Sequence, residues 1–425
     1  MFFPEGAFGP TNNCVGIGAL LRQRGHRVVF VIEESFAGTL EAKGFEEARM
    51  RLQPPPETEE EPGQFWKDFI RETAPEFRKP TIEQLEGFLA PTWQALIDGA
   101  LYVDDRLREI YEEVRPDVVV EDNVVCFPAL PASGVPWVRI VSCNPLELKD
   151  PELPPVFSGY PTDDRSGWAG FWTEYDRVLG PVQEAFSSQV TDRGCPPLPP
   201  REFIHESRFL NLYVYPREVD YPRSRPLAPT WHPLDSSVRE EEQRYRIPEG
   251  LDRGGGLVYL SLGSLGSADV ALMQRLIELL GTTEYGVIVS KGPQHELLRL
   301  ADNMAGEEYL PQPAILPQVD VVITHGGNNT VTECLHFGRP VVVLPLFWDQ
   351  YDNAQRLQEA GLGVRLPTYT FEDRELLSAI ARLREDRGIG RRLATMSGRI
   401  REAAGTRRAA DLIERVALTG RPVVG

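Results

Sequence analysis

Residues 309–353 constrain the fold of this chain more than any other stretch. They read YLPQPAILPQVDVVITHGGNNTVTECLHFGRPVVVLPLFWDQYDN. Residues 319–324 are mostly apolar and β-branched, which predicts a buried strand, and the HGG that follows predicts a turn. Asn328 or Asn329 can cap the next helix, which runs to about Phe337, and residues 340–346 predict another buried strand. A strand, a glycine turn, a helix and a strand in this order are typical of a parallel α/β sheet.

The turn and the helix together predict a site for a diphosphate. Glycine lets the backbone approach a ligand closely, and Gly327 lies directly before the helix. The free N–H groups of a helix N-terminus favour phosphate, and His325 could add a further donor. Glu333 lies one helical turn beyond Asn329 on the same face, where its carboxylate can accept bonds from ribose hydroxyls. The plainer alternative is that Glu333 only stabilises the helix dipole.

The two ends of the stretch predict contacts to a sugar and to a base. Asp349 and Gln350 follow the second strand, and an acid beside an amide offers both acceptors and donors to sugar hydroxyls. Tyr309 can stack on a base and Gln312 can hydrogen-bond its edge. We therefore expect residues 309–353 to hold a nucleotide-linked sugar.

Composition narrows the class of partner. The 425 residues carry a formal net charge of −18, and such an acidic surface disfavours nucleic acid and anionic membranes. The five cysteines are scattered without a CxxC pair, which suits free thiols in a reducing compartment. No basic signal segment or apolar run of ~20 residues is present, so we expect a cytoplasmic protein without stable membrane association. The dispersed histidines and the lack of a DxD pair predict no metal site.

The rest of the chain predicts two α/β units. In the first half, strands at 28–32, 118–120 and 138–141 alternate with helices at 12–24 and 38–44, and the first strand has only three residues before Pro4. Two explanations of this short strand stay open: the start of the sequence is trimmed, or the N-terminal edge is weakened. Residues 53–63 form a proline-rich acidic loop, and residues 236–256 an interdomain linker. A second series follows, with strands at 257–262 and 287–290, helices at 269–280 and from Asn353, a GSLGS loop, and a mostly helical tail over 371–417. We expect two doubly wound domains that face a cleft, with ligands at the carboxyl ends of the strands.

The pattern of residues 309–353 strongly resembles the signature of family-1 glycosyltransferases, the UDP-glycosyltransferase superfamily. That signature has an aromatic residue and PQ, then H-x-G-x-N-S/T, then E, then P…DQ. The matching residues are Tyr309, Pro311-Gln312, His325, Gly327, Asn329, Thr330, Glu333, Asp349 and Gln350. The segments HGGNNT and PLFWDQYDNAQR are similar to the sequences of bacterial members and their arthropod relatives. In the family, a Gly-Ser loop contacts the phosphates, and it corresponds here to Gly263-Ser264. A simple turn between a strand and a helix would have the same sequence.

The resemblance implies a GT-B fold made of two Rossmann-like domains. It implies an N-terminal acceptor domain over residues 1–235, a nucleotide-sugar domain over 257–405, and a C-terminal helix over 406–425 that returns to the first domain. It further implies a UDP-sugar co-substrate, inversion at the anomeric carbon, and neither a metal nor a bound cofactor. In the family the terminal Asp-Gln pair goes with glucose and similar hexoses, so UDP-glucose is the first choice of donor. A dTDP-deoxysugar stays open.

One family residue is missing from this sequence. The family has G-H-x-N-P before its first helix, which corresponds here to Gly9-Pro10-Thr11-Asn12-Asn13, so the histidine that serves as general base is replaced by Pro10. Proline offers no atom that accepts a proton, whereas such a base contributes ~10²–10⁴-fold in rate. The acid that orients this histidine in the family corresponds to Asp122, which could act directly or be an ordinary strand-end acid.

The missing histidine leaves several functions open. The acceptor could be an amine, which is nucleophilic when neutral, or an acidic phenol or carboxylate that arrives ionised. The chain could instead bind nucleotide sugars without efficient transfer. A lipid-linked acceptor fits less well, because Glu57–Glu61 make the first domain acidic.

Aromatic residues suggest a small hydrophobic acceptor. The candidate acceptor-binding residues are Pro10, Asn12, Phe65, Trp66 and Tyr160. Residues 150–200 are rich in proline, glycine and aromatics, with helical patches but no clean period. They could form a wall of the acceptor pocket, or they could simply pack a helical subregion.

Overall fold

The computed structural model describes residues 1–6, 8–55, 64–239, 244–251, 254–267 and 269–425, with only the backbone of Phe8. Most of the acidic loop predicted at 53–63, including Glu57–Glu61, lies outside the described residues. So do residues 240–243 and 252–253 of the predicted linker.

The N-terminal domain is built on a seven-stranded sheet in which every pair of neighbours is parallel, in the order β3-β2-β1-β4-β5-β6-β7. Its central strands are fully buried, as expected for a parallel sheet covered by helices on both faces. The strands are β1 Phe2–Pro4, β2 Val29–Glu33, β3 Glu46–Met50, β4 Val119–Asp122, β5 Trp137–Val141, β6 Leu210–Val214 and β7 Trp231–Leu234.

The C-terminal domain repeats this plan with six parallel strands in the order β10-β9-β8-β11-β12-β13. In both sheets the chain starts near the middle, moves to one edge, and then returns to fill the other side. This order places a topological switch beside the first strand of each domain, where open α/β sheets bind ligands. The strands are β8 Leu257–Ser261, β9 Gly286–Ser290, β10 Met304–Glu307, β11 Val321–Thr324, β12 Val341–Val343 and β13 Gly363–Arg365.

Helices cover both sheets. In the first domain they are α1 Phe8–Gln23, α2 Gln64–Thr73, α3 Thr81–Gln84, α4 Ala90–Tyr102, α5 Asp104–Val114, α6 Ala129–Ala132 and α7 Trp168–Asp192, and a π-helical turn at Leu85–Leu89 joins α3 to α4. In the second they are α8 Gly263–Gly266, α9 Val270–Gly281, α10 Gln312–Ile315, α11 Asn328–His336, α12 Gln350–Glu359, α13 Asp373–Glu385, α14 Arg387–Ala403 and α15 Gly405–Thr419.

The structure corrects several expected elements. The helix expected at 38–44 is wrong: only the 3₁₀ turn Glu41–Lys43 forms there, because the flanking glycines both adopt positive φ. The GSLGS loop is instead the helical turn α8. Residues 150–200, which show only helical patches in sequence, contain the 25-residue helix α7. Pro181 and neighbouring glycines hide the period of its buried residues, such as Phe171, Tyr175 and Leu179.

Helix α1 begins earlier than its sequence pattern indicates and includes Pro10 as its third residue. The first turn of a helix has N–H groups with no intrahelical partner, so proline is tolerated there. At the far end of the chain, α15 packs on α1 and is held by the ion pair between Arg24 Nη2 and Asp411 Oδ1, 2.5 Å. His26 Nε2 adds a contact of 2.6 Å to Glu414 Oε1. The C-terminal helix therefore lies on the N-terminal domain.

Buried polar contacts also join the two domains. Asp352 of α12 is 1% exposed and accepts hydrogen bonds from the backbone N–H groups of Phe157, 2.7 Å, and Gly159, 2.8 Å. Without the carboxylate, both N–H groups would be buried and unpaired, which costs about 1–3 kcal/mol each. This residue therefore fixes the loop before α7 against the second domain.

We expect Asp352→Ala to lower the free energy of unfolding by about 2–4 kcal/mol, because two buried donors lose their acceptor. Urea unfolding monitored by circular dichroism measures this loss. Asp373→Ala is the matched control, since Asp373 is exposed and pairs with Arg275 at the surface; its loss should stay below about 1 kcal/mol. Equal losses in the two variants would contradict this role for Asp352.

Candidate functional site

A cleft of about 500 Å³ opens between the two sheets, and both domains line it. All ten predicted donor-binding residues lie on its wall: Ser264, Tyr309, Gln312, His325, Gly327, Asn329, Thr330, Glu333, Asp349 and Gln350. They come from the ends of β8, β10, β11 and β12 and from the helices that follow, so the parallel topology brings them together. Their roles in binding stay predictions, while the structure shows what each one contacts.

The corner between β11 and α11 depends on two glycines. Gly326 has φ +91°, and a Cβ there would lie 2.6 Å from Val343 Cγ1. Gly327 is the N-cap of α11, and no side chain caps this helix. The expectation that Asn328 or Asn329 caps it is therefore wrong, because both asparagines already lie inside the first turn. The first N–H groups of α11 thus face the cleft without a side-chain acceptor, as an anionic ligand requires.

His325 packs its imidazole between two glycines. A Cβ on Gly263 would lie 2.6 Å from His325 Cε1, and one on Gly327 would lie 2.7 Å from Nε2. Burial lowers the pKa of His325 to about 4, so the ring is neutral at neutral pH. Thr324 Oγ1 lies 3.3 Å from Nδ1. When that nitrogen accepts from the hydroxyl, Nε2 carries the proton and serves as a neutral hydrogen-bond donor at the mouth of α11.

Glu333 stands in a group of polar side chains at the inner end of the cleft. Gln312 Nε2 donates to Glu333 Oε2 at 2.6 Å and lies 3.3 Å from Thr330 Oγ1. Arg239 Nη1 lies 3.4 Å from Glu333 Oε1. Sequence reasoning missed Arg239, because a single arginine in a charged linker carries no distinguishing pattern. The contacts hold the Glu333 carboxylate in one orientation on the face that the cleft exposes.

The Asp349-Gln350 pair is fixed by the surrounding backbone. Gln350 Oε1 accepts from the N–H groups of Leu346, 3.0 Å, and Phe347, 3.2 Å. Asp349 Oδ2 accepts from the N–H of Asn144 in the first domain, 2.7 Å. Burial raises the pKa of Asp349 to about 7. Both side chains are therefore preorganised, and Asp349 also connects the two domains across the cleft.

Asn329 connects the domains as well. Its Nδ2 donates to the carbonyl of Gly9 at 2.6 Å, and its Oδ1 accepts from Asn13 Nδ2 at 2.9 Å. The side chain is thus engaged with α1, while the backbone N–H stays in the first turn of α11. Tyr309 lies on the cleft wall and is 47% exposed, so its side chain is accessible to a ligand. Ser264 lies in α8, next to the glycine that contacts His325.

A second, mostly apolar pocket of about 280 Å³ adjoins the cleft on the N-terminal domain. Phe65 lines this pocket and Trp66 lines both cavities, while Pro10 and Asn12 lie on the cleft wall. Tyr160 lines neither cavity: its ring packs on Phe171 at 5.5 Å, so its expected role in acceptor binding is corrected.

The aromatic residues of 150–200 are packing residues in this structure. Phe157, for example, is buried, and its ring packs against that of Trp348 at a centroid distance of 4.6 Å. The aromatic wall that faces the cleft is built instead from other parts of the chain: Trp66, Phe69, Phe88, Phe347 and Trp348. Sequence reasoning missed most of these, because they come from α2, the π-helical turn and the loop after β12.

Asp122 does not lie on the cleft wall. It is buried at the end of β4, and its Oδ1 accepts from Ser142 Oγ at 2.8 Å. Burial raises its pKa to about 7, while the Ser142 hydrogen bond opposes the rise. It borders a small cavity of about 20 Å³ shared with Pro10 and Glu5. The cleft and this small cavity share the lining residues Glu5, Pro10, Ser142 and Cys143, so direct proton transfer from a substrate in the cleft to Asp122 would have to pass between them.

The described residues contain no group of three or more His, Cys, Asp or Glu side chains placed to hold a metal ion. In the same part of the chain, none of the helices has the length and apolar character needed to span a membrane.

Comparisons with known proteins find similar sequences and similar structures. Residues 274–409 match the family described as erythromycin biosynthesis protein CIII-like, C-terminal domain. The chain is 26% identical over 419 residues to oleandomycin glycosyltransferase of Streptomyces antibioticus, covering 97% of this chain and 89% of the relative. It is 26% identical over 362 residues to zeaxanthin glucosyltransferase of Pantoea ananas, covering 79% and 81%.

Solved structures share the fold over the whole length. The glycosyltransferase of kitacinnamycin superposes with a TM-score of 0.70 at 23% identity and covers 98% of this chain and 97% of its own. The glycosyltransferase SsfS6 of Streptomyces sp. SF2575, complexed with thymidine diphosphate, superposes with a TM-score of 0.64 at 19% identity over 97% and 99% of the two chains.

Proposed function

We propose that this chain, a GT-B glycosyltransferase of the family-1 type, transfers a hexosyl group from UDP-glucose to a small hydrophobic acceptor. The transfer proceeds with inversion at the anomeric carbon and without a metal ion. The resemblance to family-1 glycosyltransferases and the GT-B fold that it implied are confirmed. The donor sugar, the acceptor and the stereochemistry belong to this proposal.

The observation that carries the proposal is the set of polar groups on the cleft wall. The uncapped N-terminus of α11 and the neutral His325 can hold a diphosphate. Glu333 lies one helical turn further along α11, where it can accept from a ribose, and Tyr309 can stack on the base. Gln350 and Asp349 line the same cleft as the aromatic residues Phe347 and Trp348. A sugar held there would lie beside the aromatic wall, and the apolar pocket that adjoins the cleft can take the acceptor.

The donor is tested by thermal shift with UDP, dTDP and GDP at equal concentrations. A ligand at 100 times its Kd stabilises the folded state by about 2.7 kcal/mol. We expect UDP to raise the melting temperature most, because Glu333 can accept from both ribose hydroxyls and dTDP lacks the 2′-hydroxyl. GDP should have little effect. If none of the three nucleotides raised the melting temperature, nucleotide-sugar binding would be contradicted.

A dTDP-linked sugar is the second candidate donor, since SsfS6, which has the same fold, was solved in complex with thymidine diphosphate. A larger shift with dTDP than with UDP would favour it. Turnover with UDP-glucose and dTDP-glucose, followed as release of the nucleoside diphosphate, then separates a transferase from a protein that only binds nucleotide sugars. Phenols, aliphatic alcohols and aryl amines serve as the acceptor panel.

A further inference from the structure

Glu5 is the residue at which three cavities meet. It lines the cleft, the apolar pocket and the small cavity beside Asp122, and no other described residue lines all three. It follows β1 at the carboxyl edge of the N-terminal sheet, and its N–H continues the ladder to the carbonyl of Asp122 at 3.0 Å. An acceptor in the apolar pocket must therefore pass Glu5 to reach a sugar in the cleft.

We propose that Glu5 is the general base that deprotonates the acceptor in this chain, in place of the histidine that Pro10 replaces. The inference rests on the proposed glycosyl transfer. The Glu5 carboxylate removes the proton from the acceptor hydroxyl, and the acceptor oxygen forms a bond to the anomeric carbon. The bond from that carbon to the diphosphate oxygen breaks, and its electron pair leaves with the nucleoside diphosphate. Glu5 then releases the proton to solvent.

The surroundings of Glu5 suit this task. The side chain is partly buried, and within the described part of the chain its carboxylate has no hydrogen-bond donor or cation as a partner. Burial first, and the nearby Asp122 charge second, raise the pKa of Glu5 to about 7. A base with a pKa near the working pH is half ionised there and still basic enough to take a proton. Asp122 is less accessible, because it borders only the small cavity.

Other titratable and charged groups face Glu5 from the neighbouring elements. Arg139, Cys143 and Glu147 border the small cavity, Glu33 and Asp98 line the apolar pocket, and Asp349 lies across the cleft. Arg139 is cationic and buried, and Arg239, which also lines the cleft, pairs with Glu333. Burial and the Asp122 charge keep the proton affinity of Glu5 high, and the carboxylates that line the two larger cavities disfavour an acceptor that arrives as an anion.

Glu5→Gln tests the proposal, because it removes the base and keeps the size of the side chain. With phenethyl alcohol as acceptor, we expect kcat to fall about 10²–10⁴-fold, while the Kd for UDP changes less than about threefold. With para-nitrophenol, largely ionised at about pH 8, the loss should be below about tenfold, because no base is needed. In the native chain, kcat/KM for the alcohol should rise with pH through about 7, where Glu5 loses its proton, and Glu5→Gln should lose this rise.

Folding is controlled within the same experiment. A carboxyl whose folded pKa is raised stabilises the protein below its unfolded pKa, and this contribution is lost as the pH rises through about 7. Glutamine stays neutral, so Glu5→Gln should melt at or above the temperature of the native chain at about pH 8. If Glu5→Gln melts in this way, its loss of activity cannot come from misfolding.

Two results would overturn the role of Glu5 and leave the proposed function intact. One is alcohol transfer by Glu5→Gln within about threefold of the native chain. The other is a loss in Asp122→Asn that equals or exceeds the loss in Glu5→Gln, which would assign the base to Asp122. Absence of transfer by the native chain with every acceptor would instead overturn the proposed function, and the role of Glu5 with it.

Discussion

His325→Ala should lower kcat about 10²–10³-fold, the usual effect of removing one preorganised donor from a developing negative charge. As the sugar leaves, negative charge grows on the diphosphate at the N-terminus of α11. The imidazole of His325 is neutral, and its Nε2 can donate without a protonation step. For the same reason, His325 should add no ionisation to the pH–rate profile between about pH 5 and 9.

Steady-state kinetics with the donor in excess measure this effect. His336→Gln is the matched control. Burial also lowers the pKa of His336 to about 4, but this residue lies at the other end of α11 and bonds Ser236 Oγ at 2.9 Å. It should leave kcat within about threefold of the native value. A similar loss in both variants would indicate that α11 itself is disturbed, and would remove His325 from the reaction.

Gly327→Ala should weaken nucleoside diphosphate binding about 10–100-fold, or about 1.4–2.7 kcal/mol. Gly327 has φ −58°, so alanine fits the backbone, and the cost comes only from the new methyl group. That Cβ would lie 2.7 Å from His325 Nε2, at the place where the phosphates approach the helix. The imidazole would have to move away from the ligand, and the methyl group would keep the phosphates from the N–H groups.

Isothermal titration with UDP measures the change in Kd. Gly398→Ala serves as control, because Gly398 lies inside α14 and a Cβ on it would meet nothing within 4 Å. It should bind UDP normally and gain about 0.5–1 kcal/mol of stability from the higher helix propensity of alanine. Unchanged UDP affinity in Gly327→Ala would show that the phosphates do not approach this corner.

In the second domain, the elements predicted from patterns within a few consecutive residues agree well with the structure. The β11–α11 corner is a local feature, since one buried strand, two glycines and a helix occupy fewer than twenty consecutive residues. The structure places these elements within two residues of the sequence prediction, and all ten residues predicted to bind the donor line one cleft. The expected cap was wrong because Gly327 directly precedes the two candidates Asn328 and Asn329, and pattern alone does not decide which of these residues ends the extended backbone.

The first domain was harder to predict. Strands β3, β6 and β7 escaped prediction, because β3 reads EEARM, with little apolar character, and β7 contains a histidine and a proline. Tyr160 was misplaced for a related reason: an aromatic side chain packs as readily in a core as in a pocket, and only the path of the surrounding loop decides between them. Phe69 and Phe88 reach the cleft because α2 and the π-helical turn cross its entrance.

The resemblance to family-1 glycosyltransferases, the GT-B fold and the ten residues predicted to bind the donor all follow from the amino-acid sequence. These features depend on residues close together in the chain, where period and turn chemistry act directly. How the residues are held depends instead on the tertiary structure. Asn329 reaches Gly9 across 320 positions, and Asp349 reaches Asn144 across 205. Glu5 meets Asp122 because β1 and β4 are neighbours in the sheet. Contacts at such separations leave no periodic signal in a single sequence, since they arise from strand order rather than from local chain geometry.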